Sequence, residues 1–145
     1  FLAGAGPIHG HGGQDAGSYR PAAVDAVVQI RRPELLLAQG LRRVTKLVLF
    51  PVRFLYSAET GLVGTNHSAA DHYLATNQAP GAALVAAAAL WRDHPPDRAL
   101  ATAFLKREMI PLYLHYIDDH TTRLTAADRP DLSAAFIQWR DHIAI

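Results

Sequence analysis

The sequence predicts an all-α fold, an antiparallel helical bundle of about five to six helices. Three observations carry that reading. Half of the residues are hydrophobic, and alanine and leucine dominate them over β-branched and aromatic types, a balance that favours helix over sheet. Apolar residues recur at three- and four-residue spacing, with no convincing alternating run of the kind a strand shows. The connections between these stretches are short, as they are between antiparallel helix neighbours. A chain of 145 residues, 19% of them charged, has the length for one domain with a real core and is not disordered as a whole.

Residues 1–20 hold six of the ten glycines and show no periodic apolar face. They read as a flexible lead-in or an inter-domain connection, ahead of a helical domain over 21–145. His9 and His11 in "HGH" lack the nearby acidic or thiol partners that would complete a metal set. "PAAVDAVVQI" reads as a short helix. Pro33 then suits a first helical turn, Glu34 complements the positive end of the helix dipole, and Gly61 is a natural stop. Between them Leu37, Leu41, Val44, Val48, Val52 and Leu55 form the expected buried stripe. Gly40 weakens this helix locally, and Pro51 is expected to kink or split it. Thr65 or Asn66 caps "HSAADHYLAT". Pro80 opens "GAALVAAAALWRDH", which "HPP" ends. Asp97 starts a long helix with an expected kink near Pro111, and Pro130 begins the last one.

Net charge is +1, without the basic excess of a general nucleic-acid binder. Cysteine is absent, which excludes disulfides and thiolate chemistry. No apolar run reaches the roughly 18 to 20 residues that cross a bilayer. The expected partners therefore include neither nucleic acid nor membrane, and the expected location is cytoplasmic. The chain opens without an initiator methionine or a basic-then-apolar leader, so a piece of a longer protein is expected.

Chemistry-bearing patterns are few. "HYIDDHTTR" sets His115 and Asp119 four apart, with Asp118 and His120 beside them, and His67 and Asp71 repeat the spacing. Two such pairs on facing helices could hold a metal, but polar faces making i,i+4 contacts are the preferred explanation, the carboxylate set of di-metal bundles is missing, and no metal site is expected. "GAGPIHGHGG" lacks the elements of a phosphate-binding P-loop. Arg42, Arg43, Lys46 and Arg53 place four cations within twelve residues. Arg42, Lys46 and Arg53 share one helical face, and such a row attracts phosphate or carboxylate groups.

"RFLYSAETG" followed by "LVGTNHSAADHY" resembles the C-terminal helical domain of aminoglycoside adenylyltransferases of the streptomycin/spectinomycin type. That domain carries an R-x-x-Y-S-A-x-T-G helix end and then a helix beginning A-A-D-W. The likeness rests on Arg53, Tyr56, Ser57, Ala58, Thr60, Gly61, Ala69, Ala70 and Asp71. It implies the back half of a nucleotidyltransferase, with the catalytic domain outside this chain and holding Mg²⁺ and most of an ATP or other nucleoside triphosphate. It also implies that Arg53 reaches the triphosphate. Asn66 stands where the family has a phosphate-contacting lysine, and Trp91 lies near the position of an aromatic residue beside the nucleotide. The acidic residues by which drug-binding members hold an aminoglycoside fall here near Gln39 and Arg43, neutral and positive, which places the acceptor in doubt.

The functional expectation is therefore a helical nucleotide- and substrate-binding domain that helps move a nucleotidyl group onto a hydroxyl acceptor, with no catalytic residue of its own. Arg53, Asn66 and Trp91 would contact the nucleotide, alongside the chain's own N-terminal nucleotidyltransferase domain. The alternative is a non-catalytic helical module that binds a ligand or a protein.

Overall fold

The computed structural model describes residues 30–75 and 79–144, and among them there are six helices and no strand. These are α1 (Pro33–Ala38), α2 (Leu41–Thr60), α3 (Asn66–Leu74), α4 (Ala82–Leu90), α5 (Arg98–Ala126) and α6 (Pro130–Ala144). The expected all-α bundle is what the chain forms. The glycine-rich opening with His9 and His11, and all but the last residue of the 21–30 segment, lie outside the described residues.

The stretch from Pro33 to Gly61 divides at a different place from the one expected. Gly40 adopts φ 100° and ψ 150°, a conformation open to glycine and strained for other residues, and there α1 ends and α2 begins. Pro51, by contrast, sits inside an unbroken α2. Proline has no N–H, so the carbonyl four residues back, that of Leu47, loses its helical partner. The Tyr113 hydroxyl of α5 replaces it, donating to the Leu47 oxygen at 2.7 Å. Burial pushes the Tyr113 phenol well above its ordinary pKa, offset only in part by Arg43, so the group stays a donor. Pro111 interrupts the ladder of α5 in the same way, but it is exposed, and water can serve the freed carbonyl there.

Two long helices frame the core. From α2 come Val44, Leu47, Val48, Val52 and Leu55, with Leu37 and Leu41 half-buried beside them. From α5 come Leu105, Met109, Leu112, Tyr113, Tyr116 and Ile117. Each aliphatic side chain buried in this way stabilises by about 1.5–3 kcal/mol relative to exposure. Alanine-rich α4 buries Leu84, Val85 and Ala88, and its small residues bring it close to its neighbours. Its first turn is completed by α5, where Glu108 accepts the Leu84 N–H at 3.2 Å, satisfying one of the donors that every helix start leaves open. The Tyr73 hydroxyl donates to the Pro80 carbonyl at 2.6 Å and so ties α3 to the entry of α4. C-terminal α6 lays Phe136 and Trp139 against Tyr116, with ring centroids 5.8 and 6.1 Å away. No described helix is long and apolar enough to cross a membrane.

Replacing Tyr113 with Phe leaves the buried Leu47 carbonyl without its donor and lowers stability by about 1–3 kcal/mol, read as the urea midpoint at constant slope. Adding Pro51→Ala to that variant restores a helical N–H at the right place and recovers part of the loss. Equal stability of the single and double variants would show that the hydroxyl does not stand in for the proline's missing donor.

Candidate functional site

The corner between α2 and α3 is built from the backbone outward. Gly61 closes α2 in a left-handed conformation (φ 74°), and its N–H bonds the Ser57 carbonyl at 2.9 Å, a common helix stop. The Thr60 hydroxyl donates to the Tyr56 carbonyl at 2.8 Å and accepts the Leu62 N–H at 3.1 Å. The Ala58 carbonyl is reached from α5 by Arg123, whose Nη1 donates at 3.3 Å. Three of the acceptors near the end of α2 thus have named partners, two local and one brought by the fold.

On the far side, Thr65 caps α3 and resolves the choice between Thr65 and Asn66. Its hydroxyl accepts the Ser68 N–H at 3.0 Å, while Ser68 Oγ accepts the Thr65 N–H at 2.9 Å. This is a reciprocal capping box with serine in the place more often filled by Glu or Gln. Gly64 fits between the two helices because it has no side chain: a Cβ there would lie 2.5 Å from Tyr56 Cε2 and 2.8 Å from Ser68 Oγ. Tyr56 then stacks edge-on against His72 at 5.3 Å, and His72 Nε2 lies 2.8 Å from Glu59 Oε1. The register of the two helices is therefore fixed by Tyr56, Glu59, Gly64 and His72. The result at its tip is a well-braced turn that leaves Leu62 59% and Val63 88% exposed.

Arg123 also holds the base of the corner through an ion pair, Nε to Asp119 Oδ2 at 2.7 Å. Beside it, buried His120 sets Nδ1 3.3 Å from the same carboxylate oxygen without the alignment of a hydrogen bond. Burial raises the Asp119 pKa, but His120 and Arg123 together outweigh that and hold it at about 2. The spacing of His115, Asp118, Asp119 and His120 thus serves helix packing. Asp119 pairs with Arg123, Asp118 with Arg140 at 2.7 Å on α6, and His115 lies against the Tyr73 ring at 6.2 Å. Among the described residues no three His, Cys, Asp or Glu side chains gather in a way that could hold a metal ion.

The three residues expected to meet a nucleotide occupy different settings. Arg53 is exposed on α2, and among the described residues it has no hydrogen-bond or ion-pair partner. Asn66 is exposed in the first turn of α3. Trp91 follows α4 and is only 3% exposed, within the hydrophobic core, so its ring offers no open face for stacking on a base. No hydrogen bond, ion pair or ring contact joins these three. Arg42 and Lys46 are exposed and likewise without a partner among the described residues. At about 100° per residue, Arg42, Lys46 and Arg53 fall within roughly 40° of one another on the helix circumference. That face lies opposite the buried Val44, Val48, Pro51 and Leu55. Arg42 also lies in the first turn of α2, where the helix dipole disfavours a cation.

The Glu59–His72 pair and the reach of Arg123 to Ala58 were not apparent from sequence. Glu59 and His72 stand thirteen positions apart across a turn, and Arg123 and Ala58 sixty-five; neither separation carries a local signal. Comparison with known proteins returned no matching family model, no matching curated protein and no matching solved structure.

The depressed Asp119 pKa fixes a pH dependence. Its ordinary value is 3.8 and its folded value about 2, so its stabilising share is complete above pH 3.8 and disappears as pH falls through 2. Asp119→Asn is expected to cost on the order of 1 kcal/mol at neutral pH, after discounting for solvent screening of a partly exposed pair. In urea titrations at stepped pH, the gap between the native protein and this variant closes between about pH 4 and pH 2. A gap that stays constant to pH 2 would remove the ion pair as its cause.

Proposed function

We propose that this chain is the helical domain of a nucleotidyltransferase, closing over a nucleoside triphosphate and helping move its nucleotidyl group onto a hydroxyl acceptor. The single observation that supports it best is Arg53, a guanidinium held on a rigid helix, exposed and without a partner among the described residues. An arginine left unpaired this way has its whole planar fork available for phosphate oxygens. The motif around it, Arg53 to Gly61 and then Ala69 to Asp71, resembles the phosphate-facing helix end of the streptomycin/spectinomycin adenylyltransferases. The braced turn at Gly61–Thr65 gives that helix end a fixed geometry, which is what a clamp on a transferring group requires.

The division of labour in this proposal follows from the side chains present. In this reading, as the resemblance implies, Mg²⁺ and the base that takes the acceptor proton belong to a catalytic nucleotidyltransferase domain. Arg53 offsets charge on the triphosphate, and Asn66 offers an amide in place of a second cation. In the transfer the acceptor oxygen bonds to the α-phosphorus, the bond to the β-phosphate breaks, and pyrophosphate leaves. An arginine aimed at the departing phosphates contributes most as that charge develops.

In the full-length protein, Arg53→Ala is expected to lower pyrophosphate release from ATP by about tenfold to a thousandfold, by analogy with other phosphate clamps. The urea midpoint should hardly move, because the side chain is exposed and has no hydrogen-bond or ion-pair partner among the described residues. Arg53→Lys should recover only part of the rate, since a point charge cannot form the paired contacts. Unchanged turnover in Arg53→Ala would remove this residue from the site and the reading with it.

A further inference from the structure

The contacts that α5 makes with its neighbours are not alike. Toward α2 and α4 its polar atoms meet partners: Tyr113 donates to the Leu47 carbonyl, and Glu108 accepts the Leu84 N–H. Toward α6 they do not. His120 is 0% exposed, with its ring 4.6 Å from that of Tyr116 and 5.9 Å from that of Phe136 on α6. Neither of its ring nitrogens has a hydrogen-bond partner among the described residues. On α6 itself Trp139 is 4% exposed, and its indole N–H is orphaned in the same way. A neutral imidazole carries one donor and one acceptor, so three buried polar atoms around one helix contact go unmatched. Native folds leave few such atoms.

The balance at this contact is narrow. Helix α6 buries Leu132, Phe136, Trp139 and Ile143, and among the described helices it packs extensively against α5 alone. Leaving one polar group dry in the interior costs about as much as burying one large apolar side chain gains. The three orphaned atoms therefore offset much of what the four side chains contribute. Two further ties are weak. The Arg140–Asp118 pair is exposed, and such pairs add little; Arg31 reaches the His142 carbonyl at 3.3 Å on the surface. Firmer bonds sit at the turn, where the Thr125 and Ser133 hydroxyls join at 3.0 Å and the Arg129 N–H bonds the Leu124 carbonyl at 2.9 Å. Between them Asp128 takes a left-handed conformation, φ 58°, which ends α5 and reverses the chain. We infer that α6 is a hinged strap: it swings off α5 about the turn at 127–129 while the other helices stay folded, and so uncovers Tyr113, Tyr116 and His120. In the open form the orphaned atoms gain water, which keeps the opening well below the free energy of global unfolding. This inference does not rest on the nucleotidyltransferase reading.

The test is native-state hydrogen exchange on the full chain, read at the backbone amides of Phe136, Ile137, Gln138 and Trp139 in α6 and of Val48 and Leu49 in α2. The four α6 amides are expected to share one opening, with exchange on the order of a hundredfold or more faster than in α2. Two variants assign that opening. His120→Leu removes two orphaned atoms at similar volume and should slow α6 exchange about tenfold or more. It slows α2 by the same factor, because global unfolding also exposes residue 120. Val85→Ala loosens α4, which stays folded when α6 swings away. It should speed α2 exchange and leave the α6 amides within twofold. Three results would overturn the inference. Equal rates in α6 and α2, or α6 rates that follow Val85→Ala, mean that α6 opens only with the whole fold. Rates that rise smoothly toward the C-terminus mark fraying of a helix end instead of a hinge. Faster α6 exchange in His120→Leu shows that the imidazole nitrogens are bonded and hold the helix in place.

Discussion

The fold depends on how a buried proline is accommodated. Pro51 sits in the middle of α2, on the side that faces the core, where the carbonyl it leaves open cannot turn to water. Tyr113 supplies the missing hydrogen bond from α5. That contact ties the middle of α2 to α5 at the depth of the proline. Val44, Val48, Pro51 and Leu55 point inward, and Arg42, Lys46 and Arg53 lie across the helix from them, with Leu49 on that side nevertheless buried. The exposure of the three cations is thus compatible with how the core is closed, but the core alone does not dictate it.

The second constraint acts at the end of the same helix. The carbonyls of its last turns are taken up by Thr60, Gly61 and Arg123, and the next helix begins from a cap made by Thr65 and Ser68. Asp119 holds Arg123 in place, so α5 braces the corner as well as the middle of α2. Polar contacts are numerous at the base of the corner, and among the described residues none reaches the Arg53 side chain. A rigid support under a free, charged side chain is the combination expected of a residue that meets a ligand. The support explains why that side chain lies where it does, and its lack of a partner is what invites the functional reading.

Much of the fold was legible in the sequence because helices announce themselves locally. Alanine and leucine at helical spacing, Pro33 and Pro130 at helix starts, Asp97 as a cap and Gly61 as a stop each act within a few residues. The break at Gly40 and the continuity at Pro51 were read the other way round. Local propensity weighs proline as the stronger breaker, but the donor that rescues Pro51 lies sixty-six residues from the Leu47 carbonyl it serves and has no sequence signature. Of the residues that the resemblance proposed for a nucleotide, Arg53 and Asn66 are exposed, while Trp91 was placed by spacing and belongs to the core. On α5 the polar contacts preferred over a metal for these spacings join Asp119 to Arg123, while Asp118 reaches Arg140 on α6. Whether a carboxylate faces an arginine or a second histidine is decided by tertiary packing, which i,i+4 counting does not reach.

The central claim is that the core-locked rotation of α2 presents an anion-binding face to solvent. Its most direct test is to map where tripolyphosphate touches the full chain, using nitrogen-15-resolved NMR of backbone amides and arginine side chains at fixed ionic strength. The account predicts saturable shifts that centre on the Arg53 guanidinium and fade along the exposed face of α2, with α6 and its Arg140 silent. Shifts that grow without saturating and spread evenly over Lys106, Arg107, Arg140 and the other exposed cations would contradict it, because they would mark only the loose counterion attraction that any charged surface shows.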